Sequence, residues 1–168
     1  MRSSKLSGTS CAVWDVIMTD RSLVLRLAGP MQSWGSSSEF NWRQTDAQPT
    51  KSGIVGLLAA ASGRRREDPI EDLLALRLGV RIDQPGTLLR DYHTAQVPGQ
   101  TSLKKRPHAS RRDELAIPRH ELNTILSTRD FRQDAGYLVA VQARDDSPYS
   151  LEALGGALRK PRFVLYLG

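Results

Sequence analysis

The sequence predicts an α+β fold, with a mixed sheet and packed helices, because three kinds of pattern occur in one chain. Short alternating apolar stretches indicate strands, apolar residues at i, i+3, i+4 and i+7 indicate an amphipathic helix, and glycine and proline turns separate these elements. The predicted order is β-α-α-β-β-β-β-α-β. For a small domain of this kind, a ferredoxin-like or RNA-recognition-motif-like topology is the commonest solution.

The first strand and the first helix have the clearest patterns. Leu23 to Leu27 alternates loosely and stops at Gly29-Pro30, which predicts a strand followed by a loop. The loop, residues 31–49, has no periodicity, and loops of this length are uncommon unless they bind something. A helix is predicted between Thr50, a good N-cap residue, and Gly63, which suits the position after the last turn.

The remaining elements follow from turn and capping residues. Asp68-Pro69 is typical of a helix start, so a short helix is predicted from Pro69 to Leu76. Alternation around Val80, a type II turn at Gln84-Pro85-Gly86 and an apolar start at Leu88 predict a β-hairpin. Further strands are predicted at 121–129, 137–142 and 163–167, with a helix that opens at Ser147-Pro148 and runs to about 159.

The length of 168 residues fits one domain that buries a core without disulfides or a structural metal. Residues 1–20 are expected to be a disordered leader or a wrongly assigned start, with the domain over 21–168. The single cysteine, Cys11, and three scattered histidines provide neither a disulfide nor a ligand cluster, so we expect no metal or other cofactor and a cytoplasmic location. No apolar stretch approaches the roughly 20 residues that span a bilayer.

The charge of the chain favours polyanionic partners. Lys and Arg number 24 against 18 Asp and Glu, a formal net charge of +6. Such a charge attracts nucleic acid over long distances and through counterion release. A basic, solvated surface without a partner explains the same composition.

The start of the first helix is a candidate anion site. Lys51-Ser52 resembles part of a nucleotide-binding loop, but the glycines that must precede the lysine are missing, which argues against nucleotide hydrolysis. A helix N-terminus still offers unpaired amides and a partial positive charge, here beside Lys51 and Ser52, and could hold one RNA phosphate. An ordinary capped helix with a solvated lysine is the alternative.

The candidate RNA ligands of the long loop are Gln32, Trp34 and Arg43, and a second tryptophan, Trp42, lies beside them. Trp34 could stack on a base or fill the core, and Trp42 in the same loop has the same two interpretations. Gln32 and Arg43 are nearby hydrogen-bond donors, and the glycines beside them allow a backbone to approach closely.

The segment Arg90-Asp91-Tyr92-His93-Thr94 suggests either acid–base chemistry or RNA recognition. Tyr92 and His93 could activate a 2′-hydroxyl and protonate a leaving oxygen, but no second histidine lies near them in the sequence. A cluster of Arg90, Tyr92 and His93 that hydrogen-bonds RNA, or that caps the sheet, is therefore favoured over catalysis.

A basic excursion between strands, at about 95–120, is a candidate finger on a phosphate backbone. Nine of its residues, 104–112, contain five formal cations and no acid: Lys104, Lys105, Arg106, Arg111 and Arg112. A solvated loop is the alternative.

Several separated segments resemble one known family in the same order along the chain. They are Leu25–Gly35, Pro49–Gly53, Gly56–Ala60, Arg81–Thr94, and Thr128-Arg129 before Asp134-Ala135. The resemblance is to the type I-E branch of the CRISPR-associated Cas five family, and it covers residues 22 to 168. The chain ends earlier than family members usually do, so the C-terminal part of the family is expected to be missing.

The resemblance implies a body like an RNA-recognition motif, with a β-hairpin thumb at about 95–120. It also implies a non-catalytic subunit of the Cascade antiviral complex that holds the 5′ handle of the CRISPR RNA. The implied partners are the backbone and large subunits, with target DNA contacted only through the complex, and Arg129 joins the implied RNA ligands. Two alternatives remain: a metal-independent endoribonuclease that uses Tyr92, His93 and Lys51 on CRISPR precursor RNA, and a structural adaptor whose RNA contacts are incidental.

Overall fold

The fold is a mixed sheet built around one long central strand, with helices packed against it. The computed structural model describes residues 13–18, 22–39, 41–99, 109–143 and 150–167. In these ranges the strands are β1 (Val13–Met18), β2 (Leu23–Gln32), β3 (Ser38–Glu39), β4 (Trp42–Arg43), β5 (Arg77–Gln84), β6 (Thr87–Pro98) and β7 (Leu122–Gln142). The helices are α1 (Lys51–Ser62), α2 (Glu71–Leu74), α3 (Arg111–Leu115) and α4 (Leu151–Arg159), and a 3₁₀ turn covers Arg119–Glu121.

The central strand, β7, organises the sheet. Its second half pairs antiparallel with β2 on one edge and with β5 on the other. Strands β2 and β5 are thus parallel to each other, with α1 and α2 in the connection between them and β7 inserted in the sheet. The first half of β7 pairs with β6 on the β5 side and, at Thr128–Arg129, with the short parallel strand β4 on the β2 side. The predicted α+β class is confirmed.

A single apolar cluster lies where the helices cover the sheet. Burial of each large side chain in it contributes about 1.5–3 kcal/mol. Its members include Leu23, Leu25 and Leu27 of β2, Tyr137, Val139 and Val141 of β7, Ile54, Leu57 and Leu58 of α1, and Leu154 and Leu158 of α4.

Two predicted strands, at 121–129 and 137–142, are one continuous strand. Asp134 in β7 has a φ of 54°, and the buried positions of β7 are odd-numbered after it but include Asp130 before it. The side-chain alternation therefore shifts at this point. Gly86, with a φ of 64°, packs here, and a side-chain carbon on it would lie 2.3 Å from the carbonyl oxygen of Gln133.

Helix α1 agrees with its prediction, because Thr50 Oγ1 accepts a hydrogen bond from the Gly53 amide at 3.2 Å and Gly63 follows in the left-handed conformation. Helix α2 is shorter than the predicted 69–76, because the Asp68 carboxylate accepts from the Arg65 amide instead of capping α2. Helix α4 starts after Ser150, whose Oγ caps it, and the predicted start at 147–148 lies outside the described residues. None of the helices in the described ranges could cross a membrane.

Two segments near the ends of the chain, residues 13–18 and 163–167, differ from what the sequence predicted. Residues 13–18, expected to be disordered, form β1 and pair antiparallel with β2 from Ala28 to Leu23; residues 1–12 and 19–21 lie outside the described residues. The expected last strand, 163–167, is not a strand in the structure and belongs to no ladder among the described strands. Its end lies instead beside the residue that follows β2, since the Ser33 amide donates to the Leu167 carbonyl at 2.7 Å.

Candidate nucleic-acid interface

Two of the predicted RNA ligands, Gln32 and Trp34, are core residues. Gln32 is fully buried, its Nε2 donates to the Ala135 carbonyl at 2.6 Å, and its Oε1 accepts from Trp34 Nε1 at 3.1 Å. The Trp34 ring is 4% exposed and meets Tyr137 edge to face. Their polar groups are used inside the fold and their surfaces are covered, so neither side chain is accessible to RNA in this structure.

Trp34 also explains the glycine that follows Lys51-Ser52. A side-chain carbon at Gly53 would lie 2.9 Å from Cε3 of Trp34, so only glycine lets the first turn of α1 rest on this ring. Lys51 and Ser52 themselves are exposed at the helix start, and the first turn contains no acidic residue. Both side chains remain accessible to an anion.

A two-stranded arm extends the sheet and carries the other candidates. We define the arm as β6 together with residues 122–133 of β7, which pair antiparallel from Thr87–Gln133 to Pro98–Leu122. Directly paired residues point to the same side, and successive residues point to opposite sides. The even-numbered residues of the arm therefore share one face, the even face, and the odd-numbered residues share the odd face.

The even face holds a cluster of Arg90, Asp130 and Trp42. Arg90 Nε lies 2.8 Å from Asp130 Oδ1 and its Nη2 lies 3.1 Å from Oδ2, while Trp42 Nε1 donates to Oδ2 at 3.2 Å. The guanidinium carbon of Arg90 is 4.9 Å from the centre of the Trp42 ring, a cation–π arrangement. The hydrogen bonds from Arg90 and then Trp42 lower the pKa of Asp130, and the ion pair neutralises its charge.

Beside this cluster, the even face exposes apolar and aromatic surface. Thr128 of β7 pairs with Trp42 on one side and with Tyr92 on the other, so the two rings flank it on the same face. Trp42 is 39% exposed and Tyr92 is 65% exposed. Leu88 and Leu126 are half-exposed nearby.

The odd face brings two arginines together. Arg129 of β7 pairs with Arg43 of β4, and neither forms an ion pair with another described residue. The Nε of Arg129 is buried and has no hydrogen-bond partner in the part of the chain that the structure describes. Asp91 is the cross-strand neighbour of Arg129 on the β6 side, but the ion contact found for its carboxylate is a long one of 3.9 Å to His93 Nδ1. Arg43 also lines an open groove with Ser33, Gly35, Ser36, Ser37 and Gln44.

The residues suggested for acid–base catalysis are separated by the strand itself. Tyr92 is on the even face and His93 on the odd face, since they are successive residues of β6. Both are exposed. Their side chains therefore point away from each other in this structure.

The basic excursion is described only in part. Lys104, Lys105 and Arg106 lie outside the described residues. Arg111 is held by Glu114 at 2.7 Å and donates to the Gln96 carbonyl, which ties α3 to β6. Arg112 is exposed, with no ion pair in the described ranges.

The sequence interpretation missed Asp130 and left Trp42 with two interpretations, a ring that stacks on a base or a core residue. Strands were predicted from Leu88 onward and over 121–129, so the predicted strands stop short of Asp130. The pairing itself was not predictable from either segment alone.

Comparison with known proteins agrees with the resemblance seen in the motifs. Residues 22–168 match the model of the family described as CRISPR-associated protein (Cas_Cas5). The chain is 35% identical over 158 residues to the CRISPR system Cascade subunit CasD of Escherichia coli (strain K12), covering 87% of this chain and 64% of that protein.

Solved structures give the same result. One, a chain of a CRISPR RNA-guided surveillance complex, has a TM-score of 0.66 and 37% identity and matches 88% of this chain and 57% of its own length. Another, described as the crystal structure of a Cas protein, has a TM-score of 0.58 and 39% identity, over 88% of this chain and 56% of its own. The chain thus spans less than two thirds of the length of these relatives. From the family match and these identities together, the chain belongs to the CRISPR-associated (Cas_Cas5) family.

Proposed function

We propose that this chain is a non-catalytic, RNA-binding subunit of a type I-E Cascade complex, and that it holds the 5′ handle of the CRISPR RNA. The observation that carries the proposal is the pair Arg43 and Arg129 on the odd face. Family membership and the likeness to a surveillance-complex chain support the assembly.

Two neighbouring guanidinium groups repel each other unless an anion lies between them. The paired backbones of Arg43 and Arg129 are about 4.8 Å apart, as in any sheet, and like charges directly opposite are destabilising. A phosphate would neutralise both side chains and would accept hydrogen bonds from their terminal guanidinium nitrogens. The three serines and the backbone in the groove beside Arg43 add uncharged donors of the kind that contact phosphate and sugar.

The remaining parts of the proposal follow from the family. The body is proposed to be ferredoxin-like, which the parallel pair β2 and β5 around β7 supports, and the arm with its connection to be the thumb. Lys51, Ser52, Arg90, Tyr92, His93, Arg112 and the basic residues 104–106 are proposed as further RNA ligands. The proposed partners are the backbone and large subunits, in the cytoplasm. Separation of Tyr92 from His93 supports binding without cleavage.

The test measures binding of the full chain, with its Cascade partners, to RNA that carries the repeat-derived 5′ end and to a scrambled RNA of equal length. We expect preference for the first RNA. Changing both Arg43→Gln and Arg129→Gln should weaken binding. It should also reduce the slope of log affinity against log salt by about 0.7 for each phosphate that the protein no longer neutralises.

A charge-matched control is the double variant Arg65→Gln with Arg66→Gln. Both side chains are exposed near the end of α1, far from the arm in the sequence. This variant removes the same two charges and should leave the preference intact. Equal binding of the two RNAs by the unmodified protein would refute the proposed function, and equal effects of the two double variants would refute the role of the arginine pair.

A further inference from the structure

The even face of the arm has the chemistry of a surface that stacks nucleotide bases. Two partly exposed rings, Trp42 and Tyr92, lie on either side of Thr128. Every base has a π face that can stack on such a ring, whatever the sequence. We propose that Trp42 and Tyr92 stack unpaired bases of a single-stranded RNA, an inference that rests on the proposed function and adds the base-binding residues to it.

The charges of the arm on this face are compensated. Its acidic residue within the arm is Asp130, which is 4% exposed and paired with Arg90. The cation Arg132 lies on the same face, and Glu39 of β3, the cross-strand partner of Trp42, adds one exposed carboxylate just outside the arm.

The polar groups beside the rings are uncharged. Thr94, Gln96, Thr124 and Thr128 share the even face and can donate to or accept from base edges. Proteins bind the splayed bases of single-stranded RNA by stacking them on aromatic rings and by hydrogen-bonding their edges with polar side chains. This mixture favours nucleic-acid bases over an apolar protein surface as the occupant.

The Arg90–Asp130 pair orients one of the rings. Trp42 is held at its Nε1 by Asp130, and one side of its ring is covered by the Arg90 guanidinium. A ring fixed in this way loses little conformational freedom when a base stacks on its other side. The Tyr92 side chain has no hydrogen bond or ring contact with another described residue, so only the backbone of β6 positions its ring.

The decisive measurement is the affinity of the full chain for a short single-stranded RNA with the repeat-derived 5′ end and for an abasic RNA of the same length. Tyr92→Leu should weaken binding of the ordinary RNA by about 5- to 100-fold, as loss of one stacked base does, and should not change binding of the abasic RNA. Tyr92→Phe should bind as the unmodified protein does, since the ring remains. The salt dependence should be the same in all three proteins, because the same phosphates are neutralised in each.

Tyr166→Leu is the matched control, because Tyr166 is 74% exposed but lies outside the arm; it should leave both affinities unchanged. If the unmodified protein binds no RNA, the proposed function and this inference both fail. If it binds RNA and both Tyr92→Leu and Trp42→Leu bind equally well, the stacking inference alone fails. Loss of association with other Cascade subunits in Tyr92→Leu, without loss of RNA affinity, would make this face a protein interface and would also overturn the inference.

Discussion

Arg90 and Asp130 lie opposite each other across the β6–β7 ladder and form a two-point ion pair, with Nε 2.8 Å from Oδ1 and Nη2 3.1 Å from Oδ2. The pair connects the two strands of the arm beside the point where β4 pairs with β7. Because Trp42 shares the same carboxylate, one ion pair connects three strands. Stability of the arm and presentation of its aromatic face are thereby linked.

Asp130→Asn should lower the free energy of unfolding near neutral pH. The hydrogen bonds from Arg90 and Trp42 lower the pKa of Asp130 in the folded state, so its stabilising contribution is present above the ordinary value of about 3.9 and is lost as the pH falls through the lowered value. Urea unfolding at several pH values should therefore show a difference from the unmodified protein that is constant down to about pH 5 and narrows below about pH 4. A difference that widened in acid would contradict this role.

Gln32→Leu should destabilise the fold by about 1–3 kcal/mol, because it leaves the Trp34 indole N–H and the Ala135 carbonyl buried without partners. Equilibrium urea unfolding measures this. Gln44→Leu, the same change at an exposed position without a side-chain hydrogen bond among the described residues, should stay within about 0.5 kcal/mol. Equal stability of the two variants would mean that the buried amide does not hold the loop.

Gly53→Ala and Gly56→Ala should have opposite effects, although both replace a glycine of α1. At Gly53 the new carbon would press on Trp34 at 2.9 Å, and overpacking of this kind costs about 1–3 kcal/mol. At Gly56 no atom lies within 4 Å, so alanine should stabilise the helix by about 0.5–1 kcal/mol. Thermal unfolding of both variants is the measurement. A gain in stability at both positions would show that the Trp34 ring moves aside freely.

Arg111→Gln and Arg112→Gln should separate a structural arginine from an RNA ligand. Arg111 is occupied by Glu114 and the Gln96 carbonyl, so its loss should cost about 0.5–1.5 kcal/mol in stability and leave the salt dependence of RNA binding unchanged. Loss of Arg112 should reduce the salt slope by about 0.7 and leave stability within about 0.5 kcal/mol. The proposed role of Arg112 would be contradicted by an unchanged slope.

Local patterns of the sequence were sufficient for local structure. The N-cap at Thr50, the left-handed Gly63 and the turn glycine Gly86 all lie where composition and spacing indicated, since each depends on a few neighbouring residues. The α+β class followed from the same patterns, and the family followed from motifs in a fixed order. These features need no knowledge of which strands pair.

Tertiary pairing decided the rest. Whether Trp34 or Trp42 faced solvent depended on what packed against each loop tryptophan, and only the fold shows Trp34 beneath Gly53 and Trp42 beside Arg90. Arg43 and Arg129 are 86 positions apart in the sequence. They are neighbours only because β4 pairs in parallel with β7. Likewise, only the fold shows that residues 13–18 pair with the edge of β2. Such contacts join segments distant in sequence, and because register and edge occupancy depend on all competing strands at once, no single stretch of sequence specifies them.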